Sequence, residues 1–312
     1  MVERFVRNEL FMKICFYAGH KKWGGLANNG GSRTILKSAQ VLRNLGHAVY
    51  VVATKDRFTY FKHDPPVPKI PKGTEACIAV SILDTVPMLK ELPSGCSPWL
   101  WIRGWETWRV NEMVNKITLY KFRKAGGQIL VNSEWLLKKL GKFGIPSVLL
   151  YPGYDECFRP GILLNNPVTI GTLYHKAKIK GYDFWLKVRG ELGNDYNYIE
   201  AGREPIGDDG QVQLYQNCNI WFSAVTLEGL HNCAMEAGLC GCLVVHNNHP
   251  RNGIHDYSGP EIAEIYETKN VGDAVKKIRE ASFSKTVGFR EKIITKIGTR
   301  EQNMRRLIEW LK

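Results

Sequence analysis

The sequence predicts an α/β protein of two Rossmann-like halves in tandem, each a parallel sheet covered by helices, facing one another across a cleft. Three observations carry that prediction: short apolar runs alternate with segments of helical period up to Tyr151, a turn-rich stretch over 152–160 interrupts them, and the alternation restarts at Val168. With 312 residues and 44% hydrophobic composition, the chain can build a core for each half.

The first apolar run, Lys13–Ala18, ends at Gly19 and reads as a buried strand. Glycines crowd 23–31, Ser32 sits where a helix N-cap belongs, and Ile35, Leu36, Ala39, Leu42 and Leu45 recur at helical spacing until Gly46. A second strand over 47–53 completes a β-α-β unit. Strands then follow at 76–80, 99–102, 128–132 and 148–151, with helices at 84–92, 110–124 and 134–143 between them. Beyond the break, strands fall at 168–174, 198–201, 219–224 and 242–246, and helices near 182–192 and 230–239. A last helix over 300–311 carries Met304, Leu307, Ile308 and Leu311 on one face. The predicted domains are 1–153 and 154–299.

The formal charge of +13 is unevenly placed: residues 1–150 hold 23 Lys and Arg against 10 Asp and Glu, and residues 151–312 hold 20 of each. The first half therefore either faces something anionic or carries solvated cationic faces. Residues 1–16 include Glu3, Arg4, Arg7, Glu9 and Lys13 rather than an unbroken apolar segment, and no run is long enough to span a bilayer, so the expectation is a cytoplasmic protein. Eight scattered cysteines, with Cys240 and Cys242 the one close pair, predict reduced thiols and no metal site.

In sheets of this kind ligands bind beyond the carboxyl ends of the strands. Gly24, Gly25, Gly30 and Gly31 lie at such an end, where they either admit a phosphate to backbone N–H groups or form an ordinary flexible turn. Glu228 and Glu236 bracket the start of a helix on one face, the second two turns deeper, and the Gly229, Leu230 and His231 amides lie at the same helix start. By spacing alone, this pair is either a ligand site or a capping acid with a solvated partner. Asp208-Asp209, flanked by Gly207 and Gly210, reads as a turn. Arg103-Gly-Trp105-Glu106-Thr-Trp108 either stacks a sugar on its indoles or packs them on the core. His231, His246, His249 and His255 read as ordinary hydrogen-bonded histidines.

Several segments in order resemble one family. Residues 30–46 are similar to the first β-α-β unit of the family 4 retaining glycosyltransferases, which have the GT-B fold. The resemblance continues through Val131-Asn-Ser-Glu-Trp-Leu136, Tyr151-Pro-Gly-Tyr-Asp155, Phe158-Arg-Pro160, Gly171-Thr-Leu-Tyr174 and Lys180-Gly-Tyr-Asp183. It ends with Ile220-Trp-Phe-Ser223 and the Glu-x7-Glu helix from Glu228 to Glu236. The resemblance implies transfer of a sugar from a nucleotide sugar, such as a UDP- or GDP-sugar, to a glycan or lipid-linked acceptor, with retention and without metal or other cofactor. It implies that Glu228 meets donor-sugar hydroxyls, Glu236 the ribose and Lys180 the diphosphate, while Gly30 and Gly31 keep the approach to the phosphates open. The family's usual Arg five residues before the lysine is His175 here, which leaves its charge to Lys176 or Lys178. Arg103, Trp105 and Glu106 would lie on the acceptor side, and helix 300–312 would brace the first domain. The basic first half would then face an anionic acceptor or a membrane surface, with Lys116, Lys121, Arg123, Lys124, Lys138, Lys139 and Lys142 as its cations and the protein peripheral at that membrane. A nucleotide-sugar epimerase or hydrolase would use the same donor pocket, and a nucleic-acid-binding protein would use the charge alone. No nucleic-acid motif supports the latter.

Overall fold

Two-sided burial explains why the first apolar run is continuous rather than alternating: Ile14 and Phe16 pack on one face of the sheet, and Cys15 and Tyr17 on the other. The computed structural model describes residues 11–21, 24–105, 111–161, 167–204 and 206–312. The first half runs β1 (Lys13–Ala18), β2 (Leu26–Ala27), α1 (Gly30–Asn44), β3 (Ala48–Ala53), β4 (Asp56–Arg57), β5 (Ala76–Ala79), α2 (Thr85–Glu91), β6 (Ser97–Ile102), α3 (Glu112–Lys124), β7 (Gln128–Val131), α4 (Glu134–Lys142) and β8 (Val148–Leu149). Its sheet has the order β3-β1-β5-β6-β7-β8, every pairing parallel, with Ile14 opposite Val49 and Ala76; β2 and β4 pair apart from it. Parallel neighbours need crossovers, which the helices supply.

The second half runs β9 (Thr169–Leu173), α5 (Tyr182–Leu192), β10 (Asn197–Ala201), α6 (Gly207–Gln216), β11 (Ile220–Ser223), α7 (Asn232–Leu239), β12 (Leu243–Asn247), β13 (Glu264–Tyr266), α8 (Val271–Arg279), α9 (Lys285–Lys296) and α10 (Arg300–Leu311). Its five strands are ordered β10-β9-β11-β12-β13, again all parallel. Ile220, Phe222 and Val245 face one core cluster, Trp221 and Val244 the other.

Helix α10 returns to the first half. Thr299 and Gln302 form a reciprocal capping box at its start, and Met304, Leu307, Ile308 and Leu311 enter the core that holds Leu36 and Leu42 of α1. The stretch 207–210, predicted as a turn, is instead the first turn of α6. Asp208 there lies against Arg33 and Lys37 of α1, and acids are favourable at a helix start, so tertiary charge overrides the local glycines. The helix predicted over 110–124 begins at Glu112, with Val110 outside the described residues. All eight cysteines are free, and among the described residues no helix is long and apolar enough to cross a membrane.

Candidate active site

The carboxyl ends of the two sheets face each other across a cavity of about 630 Å³. Its first-half wall follows β1, β5 and β6, through Ala18, Gly24, Gly25, Gly31, Ser81 and Arg103 to Trp105. Its second-half wall follows β9 and β11, through His175, Lys178 and Lys180 to Leu227 and Glu228. The volume suits a ligand of nucleotide size.

Lys180 closes a 3-10 turn over Lys178–Lys180, and its ammonium donates to the Glu228 carboxylate. Burial works against the charged lysine, but the Glu228 charge and hydrogen bond outweigh it and hold Lys180 above the usual lysine range. Gly181 follows at φ +72, where a Cβ would overlap the Ala224 carbonyl, so the turn can lie this close to the end of β11 only with glycine. The Glu228 main chain is fixed from the other half: its carbonyl accepts from the Trp135 indole N–H of α4 at 2.7 Å.

The remaining predicted residues divide. Gly31 lines the cavity through the start of α1, and its carbonyl accepts from Arg103, whose second terminal nitrogen donates to Val80 O at 3.0 Å. Arg103 therefore braces the glycine turn as well as facing the cavity. Trp105 reaches the wall but is only 2% exposed, its ring 5.9 Å from Phe143 and Lys139 Nζ 4.7 Å above it, so its indole packs more than it presents a face. Glu106 and Trp108 lie outside the described residues. His175 is at the cavity, where desolvation and the Lys180 charge lower its affinity for a proton. Lys178 lines the cavity and Lys176 does not, so of the two lysines it is Lys178 that stands beside the His175 position.

The start of α7 departs from expectation. Gly229 is pressed against the first half, where a Cβ would overlap the Arg103 carbonyl, and Leu230 is buried in the second-half core. His231 caps α7 with its own ring: Nδ1 accepts from Ala234 N at 3.3 Å and Nε2 lies 2.7 Å from Ser223 Oγ. Burial, with the Lys180 charge, pushes its pKa down to about 3, so this cap is neutral. Gly229, Leu230, His231 and Gly30 do not line the cavity, and neither does Glu236. Glu236 is 4% exposed and already held: Arg33 donates to Oε1, and Tyr215 OH donates to Oε2 at 3.1 Å. Burial raises the Glu236 pKa against the opposing pull of Arg33.

Arg33 was not singled out by the sequence. It leaves α1 of the first half and meets Glu236 of α7, Asp208 of α6 at 2.9 Å and Asp155 at 3.5 Å, with its guanidinium 5.3 Å over the Phe158 ring. Asp155 is in turn gripped by Arg300 at the start of α10, Nε to Oδ1 at 2.6 Å and a terminal nitrogen to Oδ2 at 3.1 Å. Although burial alone would raise it, Arg300 and then Arg33 hold the Asp155 carboxyl below its ordinary range. Lys37 completes the cluster against Asp208, giving Arg33, Lys37 and Arg300 three acids to neutralise. Among the described residues no His, Cys, Asp and Glu group is arranged to hold a metal ion.

This architecture is similar to that of solved glycosyltransferases. Sucrose-phosphate synthase from Thermosynechococcus elongatus matches with a TM-score of 0.73 at 12% identity, over 96% of this chain and 98% of that one. Anabaena HepE in complex with UDP and glucose matches with a TM-score of 0.75 at 12% identity, over 96% and 99%. A glycosyltransferase from Rickettsia africae matches with a TM-score of 0.68 at 13% identity, over 97% and 98%. The chain has the GT-B fold. No family model and no curated protein matches the sequence.

Within this GT-B frame a second contact joins the halves at α4. Asp256 accepts from the Glu134 amide at 2.8 Å, satisfying one of the free N–H groups at the start of α4, and from Tyr151 OH at 3.2 Å. Asp256 is 8% exposed, and burial pushes its pKa up to about 6. Because the folded value lies above the unfolded one, the folded state binds the extra proton, and stability falls as pH rises from about 4 to about 6. A carboxamide in its place cannot ionise, so Asp256→Asn should gain up to about 3 kcal/mol relative to the parent between pH 4 and pH 7. Urea unfolding across that range tests it, and parallel pH curves for the two proteins would contradict it.

Proposed function

We propose that the protein transfers a sugar from a nucleotide-sugar donor to a glycan or lipid-linked acceptor, with retention at the anomeric carbon. The observation that carries this reading is the Lys180 and Glu228 pair in the wall of a cavity between two sheet ends. Supporting it, proteins of the same fold are solved with UDP, and with UDP-glucose.

Lys180 has three N–H donors and spends one on Glu228, so two remain for the diphosphate. Lys178 adds charge from the same wall, in the place of the arginine that His175 does not supply. As the bond from the anomeric carbon to the phosphate oxygen breaks, the leaving diphosphate takes the electron pair and its growing charge meets these cations in the cleft between the two halves. The acceptor hydroxyl oxygen bonds to the anomeric carbon on the same face and passes its proton to the departing phosphate oxygen. These cations supply the charge stabilisation a metal would otherwise give. Glu228 orients donor hydroxyls, and Arg103 and Trp105 bound the acceptor side. Glu236 is assigned to the contact with Arg33 rather than to direct capture of the ribose.

A thermal-shift screen of UDP-, GDP-, ADP- and dTDP-sugars with the free diphosphates, in the presence of a chelator, tests the reading. A ligand at about 100 times its Kd adds ~2.7 kcal/mol to the native state, so one nucleotide class should raise the Tm by several degrees. Folded protein that responds to none of them overturns the donor site. Consumption of donor with no acceptor product would instead mark a hydrolase or epimerase.

A further inference from the structure

Asp84 is a buried carboxylate in the cavity wall for which the transfer step above has no use. It ends the 3-10 turn Ile82–Asp84, which runs straight into α2. It therefore takes helical φ and ψ of −73° and −19° rather than the extended geometry of a cap, and its side chain makes no capping hydrogen bond. The carboxylate instead reaches the adjoining end of β1, where Oδ1 accepts from His20 N at 2.9 Å. Asp84 is 3% exposed and lines the cavity.

The wall around it is not the cationic surface that the composition of the first half suggests. Among the described residues of that wall Asp84 is the one acid and Arg103 the one cation, and Arg103 donates to Gly31 O and Val80 O. None of the lysines and arginines of α3 and α4 lines the cavity. Behind Asp84, Tyr17 OH donates to Glu91 at 3.0 Å, and burial, Glu91 and then Asp84 hold this hydroxyl above the usual tyrosine range. Two carboxylates therefore act on this corner. Asn29 and Ser81 add neutral polar side chains to the same wall, and Leu26, Ile35, Ile82 and Ile102 add apolar ones. Hydroxyls that donate to a carboxylate make charge-assisted bonds, and apolar side chains suit the C–H faces of a sugar ring. A phosphate at this place would set like charges together.

We infer that Asp84 sets the chemical class of the acceptor: it binds hydroxyls of a neutral sugar at the acceptor's reactive end and excludes a phosphate or carboxylate there. This narrows the acceptor of the glycosyltransferase reading above and rests on it. Asp84 orients the sugar, while the acceptor proton still passes to the departing phosphate oxygen. Any anionic part of the acceptor lies outside the cavity. Sugar binding at Asp84 requires no donor, so it can be measured apart from the donor site.

The test is isothermal titration of the full chain, without nucleotide, with the methyl glycosides of glucose, galactose, mannose and N-acetylglucosamine and with the 6-phosphates of the same glycosides. At least one neutral glycoside should bind, about tenfold or more tightly than its 6-phosphate. Asp84→Asn keeps an oxygen for His20 N but loses the charge. It should weaken the neutral glycoside about tenfold and leave the 6-phosphate bound at least as tightly as the parent binds it, so the preference falls about tenfold or more. A role confined to holding His20 survives in Asp84→Asn and leaves both affinities at the parent values. Circular dichroism establishes that the variant folds. The proposal is overturned if no neutral glycoside binds, if a 6-phosphate binds the parent more tightly than its neutral partner, or if Asp84→Asn keeps the parent preference. A chain that binds glycoside through Asp84 but responds to no nucleotide would lose the donor site and keep this one.

Discussion

Replacing Arg33 by Met should destabilise the protein by about 3–5 kcal/mol, read as a lowered urea midpoint at pH 7. An exposed ion pair contributes about 0.2–1 kcal/mol, so the expected size rests on burial: the Arg33 and Glu236 side chains are each 5% exposed. Asp208 keeps Lys37 and Asp155 keeps Arg300 when Arg33 is lost. Among the described residues Glu236 then keeps the Tyr215 hydroxyl as its one side-chain partner, and an uncompensated buried carboxylate is the costly remnant. Two further results follow from that assignment. The loss should be smaller at pH 5 than at pH 8, because a Glu236 carboxyl already raised by burial can take a proton once Arg33 is gone. Glu236→Gln should also recover part of the stability in the Arg33→Met background, with a coupling of about 1–3 kcal/mol. A loss under about 1 kcal/mol, or additive effects, would show that these groups do not act as a unit.

Such a cluster was beyond the reach of the sequence for a physical reason. Arg33 lies 122, 175 and 203 residues from Asp155, Asp208 and Glu236, and nothing local in any of the four segments asks for the others. Lys180 and Glu228 are 48 apart and equally non-local, yet each falls in a motif whose order along the chain resembles a known family. The alternation of strands and helices was legible because parallel strands buried on both faces read as apolar runs between helical stripes. The turn predicted at 207–210 failed because its two glycines were weighed without the cations that Asp208 meets on α1. Trp105 was open between a sugar platform and a packed indole, and its burial against Phe143 favours packing. By spacing alone Glu236 was open between a ligand carboxylate and a solvated acid, and only the resemblance implied the ribose, whereas Arg33 and Tyr215 hold it here. Spacing gives the depth of a residue on its own helix but not what the opposite half inserts there.

The second large effect belongs to Lys180. Lys180→Met should lower kcat about 100- to 1,000-fold, the loss typical of removing one group that meets developing charge, and should weaken the free nucleoside diphosphate as well as the whole donor. Glu228→Gln should behave differently. Its contact is assigned to the sugar, so it should lose affinity for the nucleotide sugar while binding the free diphosphate much as the parent does. The two side chains touch in the cavity wall, which makes a simple stability change the main competitor to this explanation. With Lys180 18% and Glu228 25% exposed, the pair is partly shielded from water and breaking it also costs the fold, a cost that the urea midpoint of each variant reads separately. The split between free diphosphate and nucleotide sugar therefore separates the roles: a common loss of fold would lower both affinities in both variants. Equal weakening of the two ligands by Glu228→Gln would move this carboxylate from the sugar to the diphosphate side and leave Lys180 positioned by it.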